Sequence, residues 1–183
     1  MKKQIGNALA LYPTPLVVVG TMIEGKPNWM LVGHIGIIGH DRVMVSLAKP
    51  HYTNQGIKAN RALSINIVDE ALLPKADYTG CVSGSKQDKS EVFQYLIGEA
   101  GTPLITDAPV SMSCTVEDIY ETEGFESFIC KIAATYAEES VLTPEGKIDY
   151  RALKPVLFEF PTYEYLKTGE VIGKCKSLGN QHV

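Results

Sequence analysis

The chain is poor in cysteine and tryptophan, with four and one in 183 residues, and no two cysteines form a C-x-x-C pair. Cys81, Cys114, Cys130 and Cys175 are spaced too widely for a zinc knuckle or a dithiol redox motif, and read as buried thiols. The histidines, His34, His40, His51 and His182, also miss metal-ligand spacing, so no structural metal is expected. No G-x-S-x-G elbow occurs, which makes a hydrolase a poor reading. Neither G-x-G-x-x-G nor G-x-x-x-x-G-K-[ST] occurs, so the two commonest nucleotide-binding folds lose first place. No block of like charge is present. A net charge of -4 and a pI near 5.6 argue against nucleic acid as the main partner. No apolar run is long enough for a membrane span, and Pro13 and Pro15 break the opening segment too early for a secretory signal. A cytoplasmic location is expected.

What is present is a hydrophobic fraction of 45%, enough to bury a core as one domain over residues 1–183. Residues Ile5 to Leu11 predict a short amphipathic helix ended by the two prolines. Leu16 to Met22 predicts a buried strand, and Glu24-Gly25-Lys26 a hairpin turn into a second strand through NWMLVGHIGII. Gly33, Gly36 and Gly39 would weaken an ordinary strand; they mark bends, bulges or the close approach of a ligand. Val43, Val45 and Leu47 alternate with Met44, Ser46 and Ala48, a strand with one small or polar face turned to a ligand or another layer. Pro50 then ends the strand at Lys49, and Thr53 is placed to cap a helix over Asn54 to Asn60.

Lys49, His51, Tyr52 and Thr53 therefore gather at a helix N-terminus, where free amides and the dipole favour an anion such as phosphate. Leu63 to Val68 predicts another strand. The run LLPKADYTGCVSGSKQDKSEVF predicts a helical turn, a small-residue loop and a further helix start. VSMSCTVEDIY and FESFICKIAATYAEE predict a long antiparallel hairpin, VLFEF a last strand, and EYLKTGEVIGKCKSLG a closing segment. At least six strands with few helices predict a mainly β fold, a β-barrel with peripheral helices. Trp29 is expected as a core or subunit-interface anchor, and Asn28 beside it as an amide in need of hydrogen-bond partners.

The order of these pieces resembles the flavin reductase-like proteins of the FMN-binding split-barrel superfamily, particularly the flavoredoxin type. The resemblance rests on NWMLVGHIG, on VSLAKPHYTNQGIKANRALSINI, on CVSGSKQDKSEVF and on the G-x-V-I-G pattern from Gly169 to Gly173. It implies a homodimer that binds FMN, with Asn28 and the backbone of Met30, Leu31, Val32, Gly33 and His34 along the flavin ring. Ser46, Leu47, Ala48 and Lys49 would line the ring edge and ribityl chain, with Tyr52, Thr53 and Lys89 at the phosphate. His34 stands where such relatives carry an aromatic ring. NADH or NADPH is the implied electron donor of a flavin oxidoreductase. Two alternatives stay open: an electron carrier with tightly bound FMN that uses a redox protein instead of a nicotinamide, and a non-catalytic barrel module. No residue takes a classical acid or base role.

Overall fold

A computed structural model describes residues 1–179; His182 and the end of the single expected domain lie outside the described residues. The strands are β1 (Thr14–Pro15), β2 (Val17–Ile23), β3 (Lys26–Val32), β4 (Ile35–Ile37), β5 (Arg42–Ala48), β6 (Ala62–Ile67), β7 (Tyr95–Ile97), β8 (Pro103–Ile105), β9 (Val110–Glu121), β10 (Phe125–Ala137), β11 (Leu157–Glu159) and β12 (Glu164–Leu166). The helices are α1 (Thr53–Asn60), α2 (Leu73–Cys81) and α3 (Tyr150–Leu153).

Seven strands form one antiparallel sheet in the order β3-β2-β6-β9-β10-β5-β4. Its two edge strands are neighbours in the chain. Val32 ends β3 and Ile35 opens β4, so the edges lie within about 11 Å of each other at the limit of chain extension. The sheet must therefore curl round on itself, which is the split-barrel geometry. The single strand expected through NWMLVGHIGII is thus two, divided at Gly33 and His34, because the chain there crosses from one edge of the sheet to the other.

Alternation along the strands fills the barrel. Val43, Val45 and Leu47 of β5 point inward with Val17, Val19, Leu63, Ile65, Cys114 and Phe128, all buried. Each such side chain contributes roughly 1.5–3 kcal/mol by leaving water. β2 is buried on both faces, because Val18 packs outward with Leu16, Trp29, Leu72, Ala76 and Phe93 under α2. That second layer explains why β2 reads as a continuous apolar run. Trp29 is a core residue, fully buried and edge-on to Phe93 at 5.5 Å. Gly20 is required beneath it, since a Cβ there would come within 2.5 Å of the indole.

The β2–β3 hairpin turns on Glu24 and Gly25 at φ 51° and 79°, the two positive values that a two-residue hairpin loop needs. Several expectations are corrected. Residues 5 to 11 form no helix: Ile5, Leu9 and Leu11 are exposed with no surface to pack on, and Gly6 sits at φ 81°. The helical turn after Glu70 is the full helix α2, started by Asp69 Oδ1 accepting from Leu72 N–H at 2.8 Å. The helix start expected at KSEVF is a turn, since Asp88 Oδ1 accepts from Ser90 N–H and Phe93 packs under Trp29. Cys114 and Cys130 are buried, and burial pushes the Cys114 thiol up to about 12, but Cys81 and Cys175 are exposed. Among the described residues, no helix is long and apolar enough to cross a membrane.

Candidate functional site

A cleft of about 760 Å³ opens beside β3 and β5, and eleven of the thirteen expected site residues line it. Met30, Leu31 and Val32 come from β3, Gly33 and His34 from the crossing, and Ser46, Leu47 and Ala48 from β5. Tyr52 and Thr53 come from the start of α1, and Lys89 from the loop after α2.

Asn28 and Lys49 are placed differently. Asn28 is 6% exposed and its Nδ2 donates to Thr53 Oγ1 at 2.8 Å, so its amide finds a protein partner. Thr53 is the first residue of α1, with Tyr52 at the N-cap position, so its side chain does not cap the helix and instead accepts from Asn28. Lys49 turns away from the cleft, and its Nζ lies 3.1 Å from Glu121. The helix start is fixed by other groups. Asn54 Nδ2 donates to Ala48 O at 3.2 Å and to Glu126 Oε2 at 2.7 Å, and Lys58 Nζ donates to Glu126 Oε1 at 2.8 Å. Those bonds pin α1 to the end of β10. Asn54 N–H donates to His51 O at 3.1 Å, and the positive dipole end of α1 borders the cleft at Thr53.

Lys89 defines the polar end. Its side chain is 4% exposed, and Nζ donates only to Thr79 O at 3.0 Å and Val82 O at 3.1 Å. No carboxylate among the described residues forms a salt bridge with it. Burial pulls its pKa down to about 8. His51 nearby is also pushed down, first by burial and then by the Lys89 charge. A buried cation satisfied by two carbonyls alone has room for an anion, which would repay its desolvation. Ser83 and Gly84 complete this end, and a Cβ on Gly84 would collide with Asn28 Oδ1 and lie 2.8 Å from the Tyr52 ring.

An aromatic end faces it. Phe125 opens β10, and Phe158, Phe160, Tyr163 and Tyr165 come from β11, β12 and the turn between them. His34 lies among these rings, with centroids 5.8 Å from Phe125 and 5.7 Å from Phe160. Gly33 is the close-packing position here, since a Cβ would come within 2.6 Å of the Phe158 ring. Between the two ends, α2 contributes Asp77, which accepts a hydrogen bond from Tyr165 OH, and Cys81. The four aromatic residues after residue 157 were read from sequence only as a last strand and a closing segment, and Asp77 and Cys81 only as part of a helical turn. Their one sequence signal is the density of rings in LFEFPTYEY.

Residues 9–166 match the family described as the flavin reductase like domain. Comparison with curated proteins finds no match. Among solved structures, flavoredoxin from Methanosarcina acetivorans is similar at 32% identity and TM-score 0.95, over 100% of both chains. Flavoredoxin of Desulfovibrio vulgaris (Miyazaki F) is similar at 32% identity and TM-score 0.90, over 98% of this chain and 100% of that one. An FMN-binding protein from Thermus thermophilus shares the fold at 18% identity and TM-score 0.81, over 95% of this chain and 100% of that one. With a cleft at the barrel edge, a family match over most of its length and full-length likeness to two flavoredoxins, the chain belongs to the flavin reductase-like family and has the FMN-binding split-barrel fold.

Proposed function

We propose that this protein binds FMN in the cleft as one domain and acts as an NAD(P)H-dependent flavin oxidoreductase. The observation that carries the cofactor is Lys89, a buried ammonium with carbonyl partners only, beside the N-terminus of α1. The donor set fits a phosphate monoester: Lys89 Nζ, the Thr53 amide at the start of α1, the Ser83 hydroxyl and the Tyr52 hydroxyl. The backbone from Met30 to His34 and the small residues Ser46 and Ala48 would border a flat ring, because Gly33, Ser46 and Ala48 carry little bulk there.

Bound flavin would supply the one- and two-electron chemistry. The chain's own part is to orient it, exclude water and hold the phosphate. Thr53 accepting from Asn28 fixes the helix start, and Gly84 lets the loop backbone approach Tyr52. NADH or NADPH is the proposed donor, in keeping with the family match. A second reading, an electron carrier that keeps FMN and takes electrons from a redox protein, is favoured by the full-length likeness to two flavoredoxins. We further propose a homodimer in the cytoplasm, supported by exposed Ile37 and Ile38 at β4 and by Leu9 and Leu11 of the N-terminal arm.

The test is the visible spectrum of the purified protein under anaerobic conditions, with NADH and NADPH added in turn. Bleaching of flavin bands by either nucleotide is expected for the oxidoreductase. Bleaching by dithionite alone selects the carrier, and a colourless protein that fails to take up FMN overturns both. Sedimentation velocity decides the dimer, and a monomer at micromolar concentration refutes it.

A further inference from the structure

The first turn of α1 is held from outside the cleft. Asn54, the second residue of the helix, is 2% exposed, and its Oδ1 has no hydrogen-bond partner among the described residues. An unpaired buried amide oxygen is costly, so Asn54 stays in place through what its Nδ2 reaches. Of the two acceptors, Ala48 O lies at 3.2 Å and Glu126 Oε2 at 2.7 Å. The shorter bond goes to a carboxylate and is roughly twice as strong as a neutral one. Glu126 is itself 5% exposed, and its other oxygen accepts from Lys58 Nζ. The Lys58 side chain is 47% exposed and can turn to water, whereas Asn54 has no other charged acceptor. Asn54 directly follows Thr53, which lines the cleft, and its amide ties the helix start to Ala48, which lines it too.

We infer that Glu126 is a positioning residue for the phosphate end of the cleft. Through its bond to Asn54 it sets where the Thr53 amide and the positive end of α1 stand, and so sets the preference for FMN over riboflavin, which lacks the phosphate. The inference rests on the reading of the cleft as an FMN site. Glu126 is not among the residues that line the cleft, so it acts through Asn54. The sign of its charge separates geometry from electrostatics. An anionic side chain beside an anion site weakens binding by charge alone, so any gain in affinity comes from geometry. Lys58 neutralises much of that charge, which leaves the bond to Asn54 as the contribution of Glu126. Its place in the chain suits the role. On β10, Glu126 pairs with Leu47 and its neighbour Phe125 with Ala48, so the strand that carries the carboxylate is in register with the strand that borders the cleft.

The experiment is fluorescence titration of the full chain with FMN and with riboflavin, read as the ratio of the two dissociation constants. Hydrogen exchange of the first amides of α1 is followed in the flavin-free protein. Glu126→Leu removes both oxygens and should lower the FMN preference about tenfold, with riboflavin affinity changed less than about threefold. Glu126→Gln keeps an oxygen for Asn54 and should hold the preference within about threefold of wild type, a rescue that neither lost charge nor general instability would produce. Asn54→Ala should reproduce the loss, and it carries the test if Glu126→Leu does not fold. In an Asn54→Ala background, Glu126→Leu should add less than about twofold, since both act through one bond. The amides should exchange at least about fivefold faster in Glu126→Leu and not in Glu126→Gln. An unchanged preference in Glu126→Leu, an equal loss of both flavins, Gln as damaging as Leu, or unaltered exchange overturns the inference. A preference that rises in Glu126→Leu overturns it too, leaving Glu126 only its charge. A preference that Lys89→Met abolishes and Glu126→Leu keeps removes this inference and leaves the phosphate reading standing. No preference for FMN in wild type removes the phosphate reading, and this one with it.

Discussion

If Lys89 holds the FMN phosphate, FMN affinity must fall on the alkaline side of pH 8, earlier than an ordinary lysine would allow. Burial sets the free-protein pKa of Lys89 at about 8, against 10.5 for an exposed lysine. At pH 7 most molecules carry the charge; at pH 9 only about one in ten do. A phosphate dianion pairs with the charged form, so binding at pH 9 must first restore a proton. The expected loss between pH 7 and pH 9 is about tenfold in Kd, or about 1.4 kcal/mol. On the acid side, the phosphate loses its second charge near its pKa of roughly 6, so affinity peaks between about 6 and 8. His51 does not shift that window upward, because burial and Lys89 push its pKa down. In Lys89→Met the alkaline limb disappears. FMN affinity at pH 7 drops by about 1.5–3 kcal/mol, the worth of a hydrogen bond to a charged group. The assay is quenching of flavin fluorescence across pH, with riboflavin as the control that lacks a phosphate. The reasoning is refuted if riboflavin shows the same alkaline fall as FMN, or if Lys89→Met keeps the limb.

The same lysine governs the stability of the FMN-free protein. Its folded pKa is depressed, so between about 8 and 10.5 the unfolded chain binds more protons, and its contribution to stability rises with pH through that window. Keeping it charged at pH 7 costs at most about 3 kcal/mol, less to the extent that solvent screens the charge. Urea midpoints of wild type minus Lys89→Met should therefore climb from pH 7 to pH 10, and a flat difference would count against the buried charge. Gly84→Ala should weaken FMN and lower stability by about 1–3 kcal/mol, because its Cβ meets Asn28 and Tyr52; thermal melts with and without FMN check both. Thr53→Val strands the buried Asn28 amide and should cost about 1–3 kcal/mol in urea unfolding, with a loss of FMN affinity as α1's first turn loosens. An unchanged unfolding midpoint would show that Asn28 finds another acceptor.

The sequence by itself determined the strands and the polar turn. In β5, burial on one face writes itself as period two, so Val43, Val45 and Leu47 were readable as the apolar face, and Ser46 and Ala48 as a small face turned to a ligand or another layer, which lines the cleft. Residues 110–121 and 125–137 were readable for the same reason, and the turn before α1 because Pro50 and Thr53 are local signals. Tertiary structure decided what each polar side chain does. Asn28 and Lys49 stand beside cleft residues in sequence, yet one is taken by Thr53 and the other by Glu121, partners 25 and 72 positions away. Lys89 entered the site only through the family resemblance, and its burial against the carbonyls at the end of α2 is a tertiary feature that no local pattern shows. The aromatic wall had one weak signal, the density of rings in LFEFPTYEY. Phe125 and Phe160 flank His34 because β10 pairs with β5 and β11 pairs with β1, pairings between strands distant in the chain that no local pattern encodes.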